Sequence, residues 1–144
     1  MPAALSAPTG QRYYTPWQIT VAAILGGPLA GGYLASRDHA AFGAQGRARA
    51  TLAVSALLLC GLLYVGHRLP PGATGTPIAV GVAFGYRWYA RVSFDGEIAR
   101  RGAAGWVAYS WWHAIGISLV VMAAMFLLIF VALLASGWQG LPSA

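Results

Sequence analysis

The sequence predicts an all-α, polytopic membrane protein with three transmembrane helices and one short interfacial or half-inserted helix. Three observations predict this class. Hydrophobic residues make up 58% of the 144 residues and charged residues only 8%, whereas a soluble domain carries about 25% charged residues. The apolar residues also fall in long uncharged runs, and most arginines lie at the ends of those runs, as in the flanks that orient membrane helices. The length fits one membrane domain over residues 1–144.

The first predicted span covers residues 17–36, a run of 20 residues without a charge. About 20 residues at 1.5 Å each are needed to cross a hydrocarbon core of about 30 Å. Thr15 is the expected N-cap of this helix, and Pro16 fits its first turn. Residues 1–15 are rich in Pro, Ala and Ser, and we expect them to be flexible.

The segment GGPLAGG inside this run poses a choice between a phosphate-binding loop and a helix-packing face. It has neither the GxGxxG nor the GxxxxGK[ST] pattern. Its small residues instead repeat every four positions, which places them in one stripe where a neighbouring backbone can approach closely. Pro28 lacks an N–H and favours a kink. The predicted packing and interaction residues of this span are Ala23, Gly27, Pro28, Gly31 and Ala35.

The second predicted span covers residues 50–67 and follows a connector, residues 37–49, with three arginines and two glycines. The glycines are expected to break any long helix across the connector. A turn-rich loop with three prolines, residues 69–77, ends the second span and leads to the third element.

The third element, residues 78–94, is ambiguous because only nine uncharged residues precede Arg87. A central arginine costs about 2.5–3.5 kcal/mol on insertion scales. We therefore expect a tilted or half-inserted interfacial helix, with four full spans as the alternative. Gly81 and Gly85 repeat the GxxxG spacing and are further predicted packing residues. The polar residues 95–105 are expected to form a solvated loop or a short amphipathic turn.

The last apolar run, residues 114–136, has 23 uncharged residues and is the clearest span. The aromatic residues before it are typical of the headgroup level. The orientation stays open, because three spans with the N-terminus inside give six arginines against three, and four spans give seven against two. Both distributions obey the positive-inside rule.

The net charge of +6 comes from nine arginines against three acidic residues, with no lysine. Because these charges flank apolar runs and form no single patch, nucleic acid is not an expected partner. Anionic lipid headgroups are the expected partner instead. The residues predicted to bind lipid headgroups or an acidic partner protein are Arg87, Arg91, Arg100 and Arg101.

No residue pattern points to catalysis, so we expect no enzyme, no cofactor and no metal. The chain lacks an HExxH motif and a Ser-His-Asp arrangement. With three spans, His67 and His113 share one face of the membrane, but two ligands alone make a poor metal or haem site. The absence of an acidic residue from every predicted span argues against a proton pump.

The segments GGPLAGGYLASR, PIAVGVAFGYR and SWWHAIGISLVV resemble those of a group of uncharacterised small bacterial inner-membrane proteins. These proteins have GGPLAGGYL in their first span and an aromatic pair before the last one. The resemblance implies a multi-pass location in the bacterial inner (cytoplasmic) membrane, and it transfers no activity and no site residues.

These observations predict a non-enzymatic membrane protein that works through helix–helix contacts. It would be an accessory or assembly subunit of a membrane complex, or a protective binding partner. The expected partners are a bilayer with anionic headgroups and either another membrane protein or a second copy of the chain. The alternative is a small oligomeric channel or transporter for an anionic or small solute, with a broken first helix along the path.

Overall fold

A computed structural model describes residues 11–70 and 75–135 of the chain. The elements of this part are the helices α1 (Pro16–Ala41), α2 (Gln45–Arg68), α3 (Thr76–Ala103) and α4 (Trp111–Ala135), and two short strands, β1 (Arg12–Tyr13) and β2 (Val107–Ala108). The prediction of a helical protein is confirmed.

Three of the helices are long and apolar enough to cross a membrane, namely α1, α2 and residues Trp111–Ala132 of α4. They match the three predicted spans in position, apart from residue 136, which lies outside the described residues. Within the described part of the chain α3 does not meet the same criteria of length and composition. Three helices of the described part therefore meet the criteria of length and composition, which is the number of spans predicted.

An ordered segment leads into α1. The Thr15 hydroxyl accepts a hydrogen bond from the Gln18 backbone N–H, and the Gln18 side chain accepts one from the Thr15 N–H. This reciprocal capping confirms Thr15 as the N-cap. β1 pairs in parallel with β2, and Tyr109 donates its N–H to the Tyr13 carbonyl at 2.8 Å. Residues 11–15 are therefore held in place, unlike the flexible segment expected there, and residues 1–10 lie outside the described residues.

α1 reverses direction at Gly27, so that its two ends lie side by side. Tyr14 donates its backbone N–H to the Asp38 carboxyl group at 2.9 Å across a separation of 24 residues. A straight helix would hold these two positions about 36 Å apart. Gly27 has φ 69° and ψ −169°, a conformation essentially restricted to glycine, and Pro28 starts the second arm. The predicted kink is thus a helical hairpin, and residues 17–36 do not form one straight crossing.

The two arms of the hairpin, residues 16–26 and 28–41, form the centre of the molecule. They touch closely, because a Cβ atom at Gly31 would lie 2.8 Å from the Ala23 Cβ. At 1.5 Å per residue the first arm rises about 16 Å, roughly half the thickness of a hydrocarbon core. The buried apolar residues of the arms are Ile19, Ala22, Ala23, Ala30, Leu34 and Ala35.

We call the end at which the arms close the base of the molecule, and the opposite end the far end. The start of α2 lies at the base, since Thr51 and His39 both contact the Tyr89 hydroxyl. α2 therefore runs from the base to the far end, α3 returns, and α4 leaves the base again. The second half of α3 also lies at the base, where Phe94 packs on Phe42 with ring centroids 5.8 Å apart. All three helices pack against the hairpin.

Two helices extend beyond the predicted bounds. α2 begins at Gln45, so most of the predicted connector is helical. α3 continues to Ala103 through the polar stretch that was expected to form a solvated loop or a short amphipathic turn. Glu97 pairs there with Arg100 and Arg101, three and four residues further on. This spacing stabilises a helix and explains why the charged stretch does not interrupt α3.

Candidate functional site

An open groove of about 580 Å³ lies between α2 and α3 on one side of the hairpin. We call it the α2–α3 groove. Its walls are almost entirely apolar over some three turns of each helix. The residues that form its apolar walls are Ala50, Val54 and Leu58 from α2, and Ile78, Gly81, Val82 and Gly85 from α3.

The polar side chains along the α2–α3 groove are already paired with one another. The Tyr86 hydroxyl donates to the Ser55 Oγ at 2.6 Å. The Tyr89 hydroxyl lies 2.9 Å from the Thr51 Oγ1 and 2.8 Å from the His39 Nε2. These contacts tie α3 to α2 and to the hairpin. They also leave the groove without a strong polar anchor, so that an apolar ligand suits it best.

The glycine pair of α3 faces this groove. A Cβ atom at Gly81 or at Gly85 would meet no heavy atom within 4 Å, and both residues line the groove. The GxxxG spacing therefore leaves about one and a half turns of bare backbone open along α3. No described residue covers that backbone, which is the property that lets a second membrane helix approach closely.

The predicted stripe of the first span packs within α1 itself. Gly31 lies against Ala23 across the hairpin, and Gly27 supplies the reversal. The close approaches to other helices instead use the other glycine of each adjacent pair, Gly26 beside Gly27 and Gly32 beside Gly31. A Cβ atom at Gly32 would lie 1.9 Å from the Ser55 Oγ of α2, and one at Gly26 would lie 2.8 Å from the Ser118 carbonyl oxygen of α4. The four-residue spacing missed both contacts because it assumed an unbroken helix.

Three of the four arginines predicted to bind headgroups make contacts within the protein. Arg101 packs 4.5 Å from the ring centroids of Phe42 and Trp106, donates to the Phe42 carbonyl at 3.1 Å and pairs with Glu97. Arg100 also pairs with Glu97. Desolvation raises the pKa of Glu97, but hydrogen bonds from these two arginines outweigh it and leave the pKa below its ordinary value.

The other two predicted arginines differ from each other. The Arg87 guanidinium lies 3.8 Å from the ring centroid of Trp17, a cation–π contact between α3 and the first turn of α1. Arg91 is exposed on α3 and remains available to a headgroup or an acidic partner. The structure therefore does not bring the four predicted arginines together as one anion site.

The histidines do not form a metal site. His113 lies at the base, where its Nδ1 is 2.9 Å from the Tyr14 hydroxyl. His67 lies in the last turn of α2 at the far end, about 24 Å beyond Thr51 along the helix. A single ion cannot bind both, which removes the pairing considered from the sequence. Among residues 11–70 and 75–135 no group of three His, Cys, Asp or Glu side chains surrounds a common point.

The sequence did not predict a buried polar cluster at the base. Asp38 is 1% exposed, and both of its carboxyl oxygens accept from the Tyr14 N–H. The Tyr14 ring stacks on Tyr109 at 4.4 Å between centroids, and burial raises the pKa of the Tyr14 phenol well above its ordinary value. The cluster closes the hairpin and joins it to α4. An acidic residue two positions after the end of an uncharged run was the available signal.

Comparison of the chain with protein-family models, with curated proteins and with solved structures finds no match. The site must therefore be interpreted from its own geometry. Its two defining features are the closed, tightly packed hairpin and the open apolar groove beside it.

Proposed function

We propose that this chain is a non-enzymatic integral membrane protein that binds an apolar helix of another membrane protein in the α2–α3 groove. One observation carries the proposal. Gly81 and Gly85 face an apolar groove of about 580 Å³ and leave their backbone uncovered. In lipid, helices associate through close backbone packing at small residues and not through hydrophobic drive. The protein would act as an accessory or assembly subunit, or as a protective partner.

The shape of the groove supports a helix as the occupant. Two antiparallel helices form its walls, with Ala50 and the two glycines providing small surfaces on both sides. Since the neighbouring hydroxyl groups already pair with Ser55 and Thr51, the occupant needs no polar side chain. A partner segment rich in Ala, Gly or Ser on one face fits these requirements.

The hairpin supports a scaffold function better than a conduction path. Broken helices line water-filled paths in many transporters. The channel or transporter predicted as the alternative would use the broken first helix in this way. Here the arms pack on each other at Ala23 and Gly31, and Gly26 packs on the Ser118 backbone of α4. We therefore prefer the contact function to a channel or transporter for this chain.

We place the protein in the bacterial cytoplasmic membrane with its base facing the cytoplasm. The resemblance to small bacterial inner-membrane proteins supports the location. The hairpin returns the chain to the base, which puts eight of the nine arginines there and leaves Arg68 alone at the far end. The positive-inside rule favours this orientation more strongly than either distribution considered from the sequence.

The orientation predicts the behaviour of reporter fusions in a bacterial host. Alkaline phosphatase is active only outside the cytoplasm, so we expect activity when it is fused after residue 135 and none when it is fused after Phe42. If α1 were one straight span, Phe42 and the N-terminus would lie on opposite sides of the membrane. A fluorescent protein at the N-terminus, which is expected to fluoresce, provides the control. Alkaline phosphatase activity after Phe42 would contradict the orientation.

Blocking the groove tests the proposed function. We expect Gly85→Leu to reduce capture of the partner helix at least tenfold, because the new side chain fills the space that the partner backbone would occupy. Capture is measured in native membranes with a photoreactive amino acid at position 81, followed by mapping of the cross-linked peptide. The free energy of unfolding should change little, since a Cβ at Gly85 meets no atom within 4 Å.

Gly61→Leu is the matched control, because Gly61 lies on α2 and also has open space around its Cβ position. The control variant should capture the partner as the wild type does. Cross-links to lipid alone would contradict the proposal. Cross-links to a second copy of the chain would show self-association and would replace the proposed partner.

A further inference from the structure

A second cleft, of about 500 Å³, lies between α1 and the first half of α4. Its walls differ from those of the α2–α3 groove because one end is polar. Tyr33 and His113 form that end, and Gly116, Ile117 and Val120 continue the cleft along α4. We call it the α1–α4 cleft.

Arg37 stands at the polar end of the α1–α4 cleft. It lies one turn after Tyr33 on the same helix, and its guanidinium donates to the Tyr33 hydroxyl at 3.2 Å. The Arg37 side chain is exposed. His113 uses its Nδ1 with Tyr14, and its Nε2 has no hydrogen-bond partner among the described residues. A cation and an imidazole nitrogen therefore border the same opening.

Arg37 forms no ion pair with a carboxylate in the described part of the chain. The ion pairs found there both involve Glu97, on α3. The adjacent carboxyl group of Asp38 accepts from the Tyr14 N–H with both oxygens and forms no ion pair with Arg37. A guanidinium with free donors matches the oxygens of a phosphate, which it can bind with two parallel hydrogen bonds.

The apolar wall that runs from Arg37 toward the far end points to an amphipathic ligand. From Trp112 to Val121 the cleft follows α4 for about 14 Å. Trp112 is 81% exposed at the base end of the cleft, and tryptophan marks the headgroup level of a bilayer. Further along α4 toward the far end, Gly116 has no heavy atom within 4 Å of a Cβ position, so the wall is open to a chain of methylene groups.

We propose that the α1–α4 cleft binds an anionic phospholipid, with its phosphate on Arg37 and His113 and one acyl chain along Gly116 and Val120. The polar end and the apolar wall are then used by one molecule. The proposal rests on the membrane location and is independent of partner binding in the α2–α3 groove. The site uses none of the four arginines that the sequence singled out for headgroups.

Native mass spectrometry of the purified, detergent-solubilised protein tests the site with phosphatidylglycerol as the probe. We expect Arg37→Gln to weaken phosphatidylglycerol binding at least tenfold. Arg49→Gln removes the same charge from an exposed position on α2 and should leave binding unchanged. Gly116→Phe fills the apolar wall without touching Arg37 and should also weaken binding at least tenfold.

The variants separate the possible outcomes. Equal binding by Arg37→Gln and Arg49→Gln would overturn the proposal. Loss with Arg37→Gln but not with Gly116→Phe, together with displacement of the lipid by millimolar inorganic phosphate, would show a simple anion site and would also overturn it. Retained capture of the partner helix by Arg37→Gln would show that this site and the α2–α3 groove act separately.

Discussion

Gly32→Ala is expected to lower the free energy of unfolding by about 3 kcal/mol, a large effect for one added methyl group. The Cβ atom would lie 1.9 Å from the Ser55 Oγ and 2.4 Å from the Ser55 Cβ. Because both residues belong to buried faces of packed helices, neither can move without displacing α1 from α2. The loss is measured by reversible unfolding in mixed detergent micelles.

A double-mutant cycle with Ser55→Gly identifies the cause. The Ser55→Gly substitution removes both atoms that the Gly32→Ala side chain would meet, at the cost of the hydrogen bond with Tyr86. We expect Gly32→Ala to cost about 2 kcal/mol less in the Ser55→Gly background than in the wild type, since contacting residues couple by this amount. If Gly32→Ala cost the same in both backgrounds, the destabilisation would not come from overlap with Ser55.

Gly61→Ala is the control for the intrinsic effect of replacing a helical glycine. Gly61 lies on α2 with open space around its Cβ position. Alanine should therefore stabilise the protein by about 0.5–1 kcal/mol through the backbone alone. The two substitutions are thus expected to change the free energy of unfolding in opposite directions, although both replace a helical glycine with alanine.

Hydropathy predicted which residues form apolar helices, but it could not predict the course of α1. A straight helix and a hairpin of the same sequence have the same hydropathy profile, because the profile depends on the order of the residues and not on the path of the chain. The reversal depends on one backbone conformation at Gly27. It also depends on a contact between Tyr14 and Asp38, 24 residues apart. Neither appears in a local pattern.

The helical glycines show the same limit at the level of single residues. The stripe of Ala23, Gly27 and Gly31 follows from a period of four along an unbroken helix. Once the helix reverses at Gly27, the two arms present different faces, and Gly26 and Gly32 become the residues that approach α4 and α2. The glycine content therefore predicted close helix packing. Which glycines make the close contacts depends on the three-dimensional path of the chain.

The polar last part of α3, residues 95–103, was expected to form a solvated loop or a short amphipathic turn because it is charged. Charge along a chain reports exposure to water, and an exposed helix is as polar as an exposed loop. The spacing of Glu97 from Arg100 and Arg101 was the local sign of a helix. The contact of Arg101 with Phe42 and Trp106, in contrast, joins segments 59 and 5 residues away. The sequence pattern contains no sign of such a contact.

Asp38→Ala is expected to destabilise the protein by about 3 kcal/mol, because it removes the group that closes the hairpin. The Asp38 carboxyl group is buried and binds the Tyr14 N–H through both oxygens. Its removal leaves a buried donor without a partner and opens a cavity at the base, costs that add. Asp38→Asn keeps one acceptor oxygen in place, and we expect it to cost about half as much.

The distance between the arms at the base distinguishes loss of closure from general destabilisation. Spin labels at Gln11 and Ala41, both exposed, report this distance in a Cys60→Ser background. We expect a single short distance in the wild type and a longer, broader distribution in Asp38→Ala. Asp95→Asn, an exposed change on α3, should leave both the distance and the stability within about 0.5 kcal/mol of the wild type. An unchanged distance in Asp38→Ala would mean that Gly27 and the packed arms alone hold the hairpin closed, because the reversal would then persist without its polar contact.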